Sequence, residues 1–358
     1  MLKNVERLDP RMFMGADEPE LAGMNPQQIA DAVAVMEKFG APMRLDRFAR
    51  MVASVSPDMV PNLLTQNITA NLLDSYYNWG DAWRKICTVG KSDYMDSQVL
   101  ERVSQLGMID KMADSGEELN YLGLADADEI TYSVDGYGDL VVVDMRTKRS
   151  DRLGYFDNLG KALGKATASR LHQSIFIDYL QSNPTVDDDN SLFDETNHSN
   201  DLDDAGTGKP FNYDNLVAAF RLLDAAVDGA DEPLEADGAY VVVGKHWRET
   251  ADQIVENDDR YDTSNRGKNT IKKRVKEVIY SRKNEYDWYI VADPKEIPGL
   301  HVSFFEGVED PRVEMEPKTS TWQFTHPGRQ RWQVYHYYGL AWMYWQGAVR
   351  GSTNVLAP

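Results

Sequence analysis

Cysteine occurs once, at Cys87, so the chain can form no intrachain disulfide, and a lone thiol fits a buried small hydrophobe better than a reactive group. No apolar run approaches the 18 residues a membrane-spanning helix needs, and the first twenty residues are acidic and interrupted by proline where a signal peptide would be apolar. Membrane insertion and Sec-type secretion are therefore not expected. Basic residues are outnumbered, with 38 Lys and Arg against 58 Asp and Glu, and a net charge of −20 excludes a surface that binds nucleic acid nonspecifically as a whole. HExxH, CxxC and GxSxG are all missing, which removes the usual zinc and serine-nucleophile patterns.

Aromatic residues are abundant at 10% of the chain, enough to supply both a core and contact surfaces. Charge is distributed unevenly. Residues 183–262 hold 21 acidic against 5 basic side chains, whereas residues 264–284 carry Arg266, Lys268, Lys272, Lys273, Arg274, Lys276, Arg282 and Lys283 against Glu277 alone. Such neighbours are either ordinary solvated surface or complementary faces for adjoining copies of the chain.

Along the chain, helices are expected after Asn25-Pro26 up to Gly40, near 43–55, and over 61–77, where Leu64, Ile68 and Leu72 recur one turn apart. Residues 90–136 are weakly patterned and strand-prone. Glu129–Asp135 alternates, Gly136–Gly138 is a break, and Leu140–Val143 reads as a buried strand. Some forty residues of this kind cannot make a core alone and point to a long hairpin or loop supported by neighbouring molecules.

The strongest helix signal covers 153–182, with an apolar stripe of Leu159, Leu163, Ala166, Leu171, Ile175 and Tyr179, and Asn183-Pro184 as the stop. Gly160, Gly164 and Ala168 lie four apart. Each interior glycine costs an isolated helix about 1 kcal/mol, so the small-residue face implies a second backbone packed closely against it. Residues 183–212 read as an Asp/Asn/Gly-rich surface segment. A helix capped by Asn212 over 213–225, a strand at Ala239–Val243, a helix at Trp247–Glu256 and a strand at Tyr289–Ala292 form an α+β module. Strands are expected at His301–Phe305, Val313–Met315, Thr321–Phe324 and Arg329–Tyr338.

No pattern in the sequence marks a site for chemistry. Asp187–Asn190 clusters carboxylates that would suit a hard cation, but the spaced glycine and glutamate of a calcium loop are missing, and a solvated acidic turn is the better reading. His172, His198, His246, His301, His326 and His336 are scattered and read as core or surface residues. Gly160 and Gly164 belong to helix packing and not to a phosphate loop. Neither Asn67 nor Asn197, each in a glycosylation sequon, is expected to be modified. No catalytic, cofactor-binding or metal-binding residue is predicted, and no cofactor.

The run Asp126–Gly138, the strand after it and the helix-forming Arg149–Ala168 resemble the major capsid proteins of tailed bacteriophages, especially the Mu-like head subunits. Asn183–Asn200, with Leu192-Phe193 ahead of the turn at Asn197-His198, and the ending Arg331–Ala348 are similar to the same proteins, so the resemblance spans roughly 44–350. It implies an α+β, HK97-like capsid fold. Residues 1–75 would be an N-terminal arm, and 76–212 a peripheral domain with an extended loop at 91–136 and a spine helix at 152–182. An axial domain would occupy 213–300, with terminal strands at 301–358 partly returning to the peripheral domain.

The implied function is structural: pentamers and hexamers of the chain forming an icosahedral head that encloses double-stranded DNA without sequence-specific binding, assembled in the host cytoplasm and residing in the virion. Some relatives begin with a cleaved scaffolding region. Here little precedes the arm, so a separate scaffolding protein, a maturation protease and a portal are the expected partners, with a decoration protein as a further candidate. One relative forms lysine–asparagine links between its extended loop and a neighbour; here Lys91 and Lys111 lie in or near the loop and Asn354 near the end, and nothing selects them. The alternatives are an encapsulin-like cellular shell and, in a different class, a hydrolase with an acidic metal site.

Overall fold

The computed structural model describes residues 59–102, 128–144, 155–202, 208–227, 233–234, 236–260, 267–282, 286–317 and 320–352. The helices expected at 25–40 and 43–55 lie outside them. Helix α1 spans Met59–Asn78, as the Leu64, Ile68 and Leu72 spacing requires, and a single 3-10 turn, Ala82–Lys85, leads into strand β1, Cys87–Ser92. Strands β2 (Gln98–Arg102) and β3 (Asp128–Tyr132) pair antiparallel as a two-stranded ribbon. Strand β4 (Asp135–Asp144) leads towards helix α2 (Tyr155–Gln173), which widens into a π-helix over Ser174–Gln181.

The remaining elements are α3 (Tyr213–Asp224), β5 (Ala239–Val243), α4 (Arg248–Glu256), β6 (Val275–Tyr280), β7 (Trp288–Ala292), β8 (Leu300–Phe305), β9 (Arg312–Met315), α5 (Thr321–Thr325), β10 (Arg329–Trp342) and β11 (Ala348–Gly351). They form two sheets. A five-stranded sheet has the order β1-β8-β10-β4, with β9 also on β10, and a four-stranded sheet has the order β11-β7-β5-β6. β10 is long enough to pair with β4 along its first ten residues and with β8 along its last five, which makes it the backbone of the larger sheet. The C-terminal strands divide, β10 joining the larger sheet and β11 the smaller.

Helices α1 and α2 lie side by side on one face of the five-stranded sheet. Ile68 packs with Val143 and Trp332, and Leu159, Leu163, Val313 and Met315 close around them. The π-helical end of α2 enters the space between the two sheets, where Ile175, Phe176 and Leu180 meet Phe304, Tyr338 and Trp342 of one and Val242, Tyr289 and Val291 of the other. The opposite face of the smaller sheet, with Val241, Val243, Trp288 and Ile290, is covered by Leu216, Phe220 and Leu223 of α3 and Ala251 and Ile254 of α4. Asn212 caps α3 as its sequence position suggests, its Oδ1 accepting the Asn215 amide at 2.8 Å.

Four expectations need correction. Gly136–Gly138 does not break the chain: β4 runs through it, and its glycines let Tyr337 and the Val334 carbonyl approach. The segment Leu140–Val143 is half-buried, with Val143 in the core and Leu140 and Val142 outside, since alternate residues face opposite sides. Thr321–Phe324 is helical, because the Ser320 Oγ accepts the Gln323 amide and nucleates a turn. In α2, Ala166 is exposed while Gly160, Gly164 and Ala168 are buried, so the small-residue face and not the Ala166 side meets the core.

Candidate assembly surfaces

The close backbone approach implied by Gly160 and Gly164 is present, and the second backbone is the chain's own helix α1. A β-carbon at Gly160 would stand 2.7 Å from the Ile68 carbonyl oxygen and 2.8 Å from the Asn71 Cβ. One at Gly164 would overlap the Leu72 carbonyl and stand 2.9 Å from the Ser75 Cβ. Residue numbers rise together along both helices, so the pair is parallel. Trp332 Nε1 donates to Thr65 Oγ1 at 3.2 Å and ties α1 to the start of β10. Residues 59–78, most of them within the stretch assigned to an arm, are thus docked on the same subunit.

The ribbon β2–β3 carries exposed apolar side chains near its base: Tyr94 is 70% exposed and Val99 51%. Its root is built in detail. The Val134 amide donates to the Met95 carbonyl at 3.1 Å, and Tyr132 Oη lies 2.7 Å from Ser303 Oγ. The Ser303 hydroxyl continues through His301 to Thr88, at 2.9 and 2.8 Å. Burial lowers the His301 pKa, so the imidazole links these hydroxyls as a neutral group. Gly339 accommodates the crossing, because a β-carbon there would meet the Ser133 carbonyl and the Tyr132 ring. Arg102, at the end of β2, reaches Asp187 at 2.9 Å and the Met343 carbonyl at 3.1 Å, and lies 5.7 Å above the Tyr344 ring.

Asp187–Asn190, the sequence's only candidate for a cation, is committed to structural contacts. Asp187 pairs with Arg102, and Asp188 accepts from the Asn190 amide at 3.0 Å and lies 2.6 Å from His198 Nε2. Hydrogen bonding from His198 and Asn190 outweighs burial and holds the Asp188 carboxyl below its usual range. His198 is buried and stacks on Trp345 with centroids 3.9 Å apart. The segment 183–202 is therefore more than surface: Leu192, Phe193, His198 and Asn200 are all buried, and Asn183 brackets Phe193 through both its side-chain atoms. Among the described residues no group of three or more His, Cys, Asp and Glu is placed to hold a metal ion.

Cys87 is buried, and burial pushes its thiol up. His172 is buried and accepts the Arg282 amide at 3.2 Å, and His336 sits between Phe304 and Tyr338. His246 packs on Trp247, His326 on Trp322. Lys91 pairs with Asp93 at 2.6 Å, whereas Lys111 and Asn354 lie outside the described residues.

Charge pairing between the acidic and basic stretches occurs within one subunit. Arg274 pairs with Asp224 and Lys272 with Asp258 at 2.7 Å; Arg260 pairs with Asp214 inside the acidic stretch at 2.9 Å, and Lys276 joins Asp293 and Glu296, beyond it, at 2.9 and 2.7 Å. Sequence reasoning missed Arg350, which binds Asp201 and lies over the Phe193 ring, because its partner is 149 positions away. It also missed the Thr88–His301–Ser303–Tyr132 chain, for which alternation on β8 was the only available sign.

The described residues thus form an α+β subunit whose larger sheet is covered by helices on one side and which carries a two-stranded ribbon. The family model described as phage capsid protein matches residues 127–351, more than half of the chain, and the chain belongs to that family. No curated protein matches it. Among solved structures, a virus-like particle from Pyrococcus furiosus is similar with a TM-score of 0.50 and 13% identity, over 80% of this chain and 99% of that one. A chain from Microbacterium phage Oxtober96 is similar with a TM-score of 0.50 and 10% identity, over 77% and 91%. These likenesses show the fold, an HK97-like capsid fold. The chain is a structural capsid-shell protein and not an enzyme.

Proposed function

We propose that this chain is the major head subunit of a tailed phage of the Mu-like kind, assembling as pentamers and hexamers into an icosahedral shell around double-stranded DNA. The match of residues 127–351 to the capsid family carries the reading. Its geometry is compatible with it: Val99 on the ribbon and Tyr94 just before it are exposed, and exposed apolar side chains are removed from water when copies associate over them. In the same reading, the five-stranded sheet with α1 and α2 is the peripheral domain, α2 with its π-helical end is the spine, and the four-stranded sheet with α3 and α4 is the axial domain. The net charge of −20 suits a container that confines DNA by its walls and lets it slide. A scaffolding protein, a protease, a portal and a decoration protein remain the proposed partners, and the host cytoplasm the proposed place of assembly.

Deleting residues 96–130 tests this reading. The deletion ends are held together by the Val134–Met95 bond, so the remaining subunit should still unfold cooperatively, at a midpoint lowered by the loss of the Arg102–Asp187 pair and the buried Ile130, while losing the ability to form shells visible by electron microscopy. Normal shells from the deleted chain would overturn it. Nuclease-resistant DNA recovered from shells separates a phage head from a cellular compartment, whose shells would contain protein.

A further inference from the structure

Four side chains at the base of the ribbon form one hydrogen-bonded line. Tyr132 Oη lies 2.7 Å from Ser303 Oγ, Ser303 Oγ 2.9 Å from His301 Nε2, His301 Nδ1 2.8 Å from Thr88 Oγ1, and Thr88 Oγ1 3.4 Å from the Leu300 carbonyl oxygen. The line has a direction. A carbonyl only accepts, so Thr88 donates to Leu300 and accepts from His301; the ring then carries its hydrogen on Nδ1 and accepts at Nε2 from Ser303, which accepts from Tyr132. Running this way, every hydroxyl hydrogen has an acceptor. Reversed, the Tyr132 hydrogen has none among the described residues.

Such a line accepts only the neutral ring. A second proton would go to Nε2, which could then no longer accept from Ser303. Ser303 is 0% exposed and cannot turn to solvent, so its hydrogen must swing to Tyr132 Oη, and the Tyr132 hydroxyl loses its acceptor. No neighbouring charge compensates. Against the ring stand Thr88 and Gly90 of β1, where a β-carbon on Gly90 would lie 2.5 Å from the imidazole, Ala341 opposite on β10, and Tyr132, edge-on with centroids 6.3 Å apart. The phenol is the one titratable group among them, and burial is what lowers the ring's pKa. Tyr132 ends β3 and pairs with Gln98, which begins β2, so the line sits where the ribbon joins the larger sheet.

We propose that His301 is an acid-sensitive latch on the ribbon: the neutral ring pins Tyr132, and with it the base of β2 and β3, to the larger sheet, and a proton taken from solvent onto Nε2 unpins them. The device belongs to the single subunit and stands or falls independently of what the shell encloses.

The test is amide hydrogen exchange on the full chain, expressed as protection relative to free peptide so that the pH dependence of exchange chemistry is removed. Opening of the ribbon returns the ring to water, where it takes a proton near its ordinary value of about 6.5, so opening is favoured by up to about tenfold for each pH unit below that value. Wild-type protection over 98–102 and 128–132 should hold constant from about pH 7.5 to 6.5 and fall about tenfold by pH 5.5. His301→Gln, which takes up no proton, should show lower protection at neutral pH and no such fall, while the other histidines titrate alike in both proteins. Nitrogen chemical shifts of histidine-labelled wild type give a second readout that needs no variant: at neutral pH the His301 hydrogen should reside on Nδ1. Ribbon protection that stays flat in wild type, or that follows the same pH course in His301→Gln, would overturn the latch. So would a His301 hydrogen found on Nε2 at neutral pH.

Discussion

Gly164 of α2 lies against the Leu72 carbonyl of α1 so closely that even one methyl group would overlap it. Alanine at an interior glycine position ordinarily gains about 1 kcal/mol of helix propensity. Here the obstacle is backbone, which cannot swing aside, and separating two helices that share a core costs about 1–3 kcal/mol or more. The clash wins. Gly164→Ala should lower stability by about 1–2 kcal/mol in urea unfolding, and Gly164→Leu should lower it further or prevent folding. Gly160→Ala, whose β-carbon would stand 2.7 Å from the Ile68 carbonyl, should fall in the same direction. Unchanged midpoints in all three would show that α1 is not docked in this way.

This contact was legible in the sequence down to its residues, because three small side chains at four-residue spacing leave few other uses in a water-soluble helix. What could not be read was the partner: α1 has an apolar stripe suited to any surface, and nothing in residues 59–78 says whose helix it will meet. The same limit holds elsewhere. Local signals placed α3 and its Asn212 cap, β5, β7, β8 and most of β10. Edge strands β1 and β6 were missed, since half-polar strands lack a clear alternation. Salt links such as Arg350–Asp201 and Arg102–Asp187 depend on chain crossings that no spacing encodes.

Arg102 joins the ribbon to both Asp187 and the Met343 carbonyl, and both members of the ion pair are largely shielded from water. Removing one partner of such a pair leaves a desolvated charge, which costs about 3 kcal/mol where shielding is complete and less at a partly exposed site. Arg102→Met should therefore loosen the ribbon more than the rest of the fold. Amide hydrogen exchange should rise at least tenfold over 98–102 and 128–132 with little change in β5 and β7. Uniform protection in the variant would mean that the ribbon is held by Tyr132 and Met95 alone.

The Asn212 cap offers a cleaner quantity. Its side chain satisfies the Asn215 amide, and loss of such a cap costs about 1 kcal/mol. Asn212→Ala should show that loss in denaturant unfolding, while Asn212→Asp, which can accept the same bond and adds charge at the positive end of α3, should retain wild-type stability. Equal destabilisation by both variants would assign the effect to something other than the cap.

His336 makes the shell protein sensitive to acid. Burial among Tyr76, Phe304 and Tyr338 disfavours the charged ring and lowers its pKa to about 4. Above the ordinary histidine value of about 6.5 the ring is neutral whether the chain is folded or not, and it contributes no pH dependence. Between about 6.5 and 4 the unfolded chain takes up a proton that the folded one refuses, so stability falls as pH falls, by about 3 kcal/mol once the folded pKa is passed. His336→Phe removes the titration and keeps an aromatic ring in the stack. Its stability should decline less steeply than wild type over that window, the difference approaching one proton in the slope of unfolding free energy against pH. Carboxylates such as Asp188 and Asp293 titrate in both proteins and cancel in the comparison. Parallel pH profiles for the two proteins would mean that His336 is protonated within the fold and that the acid response lies in other groups.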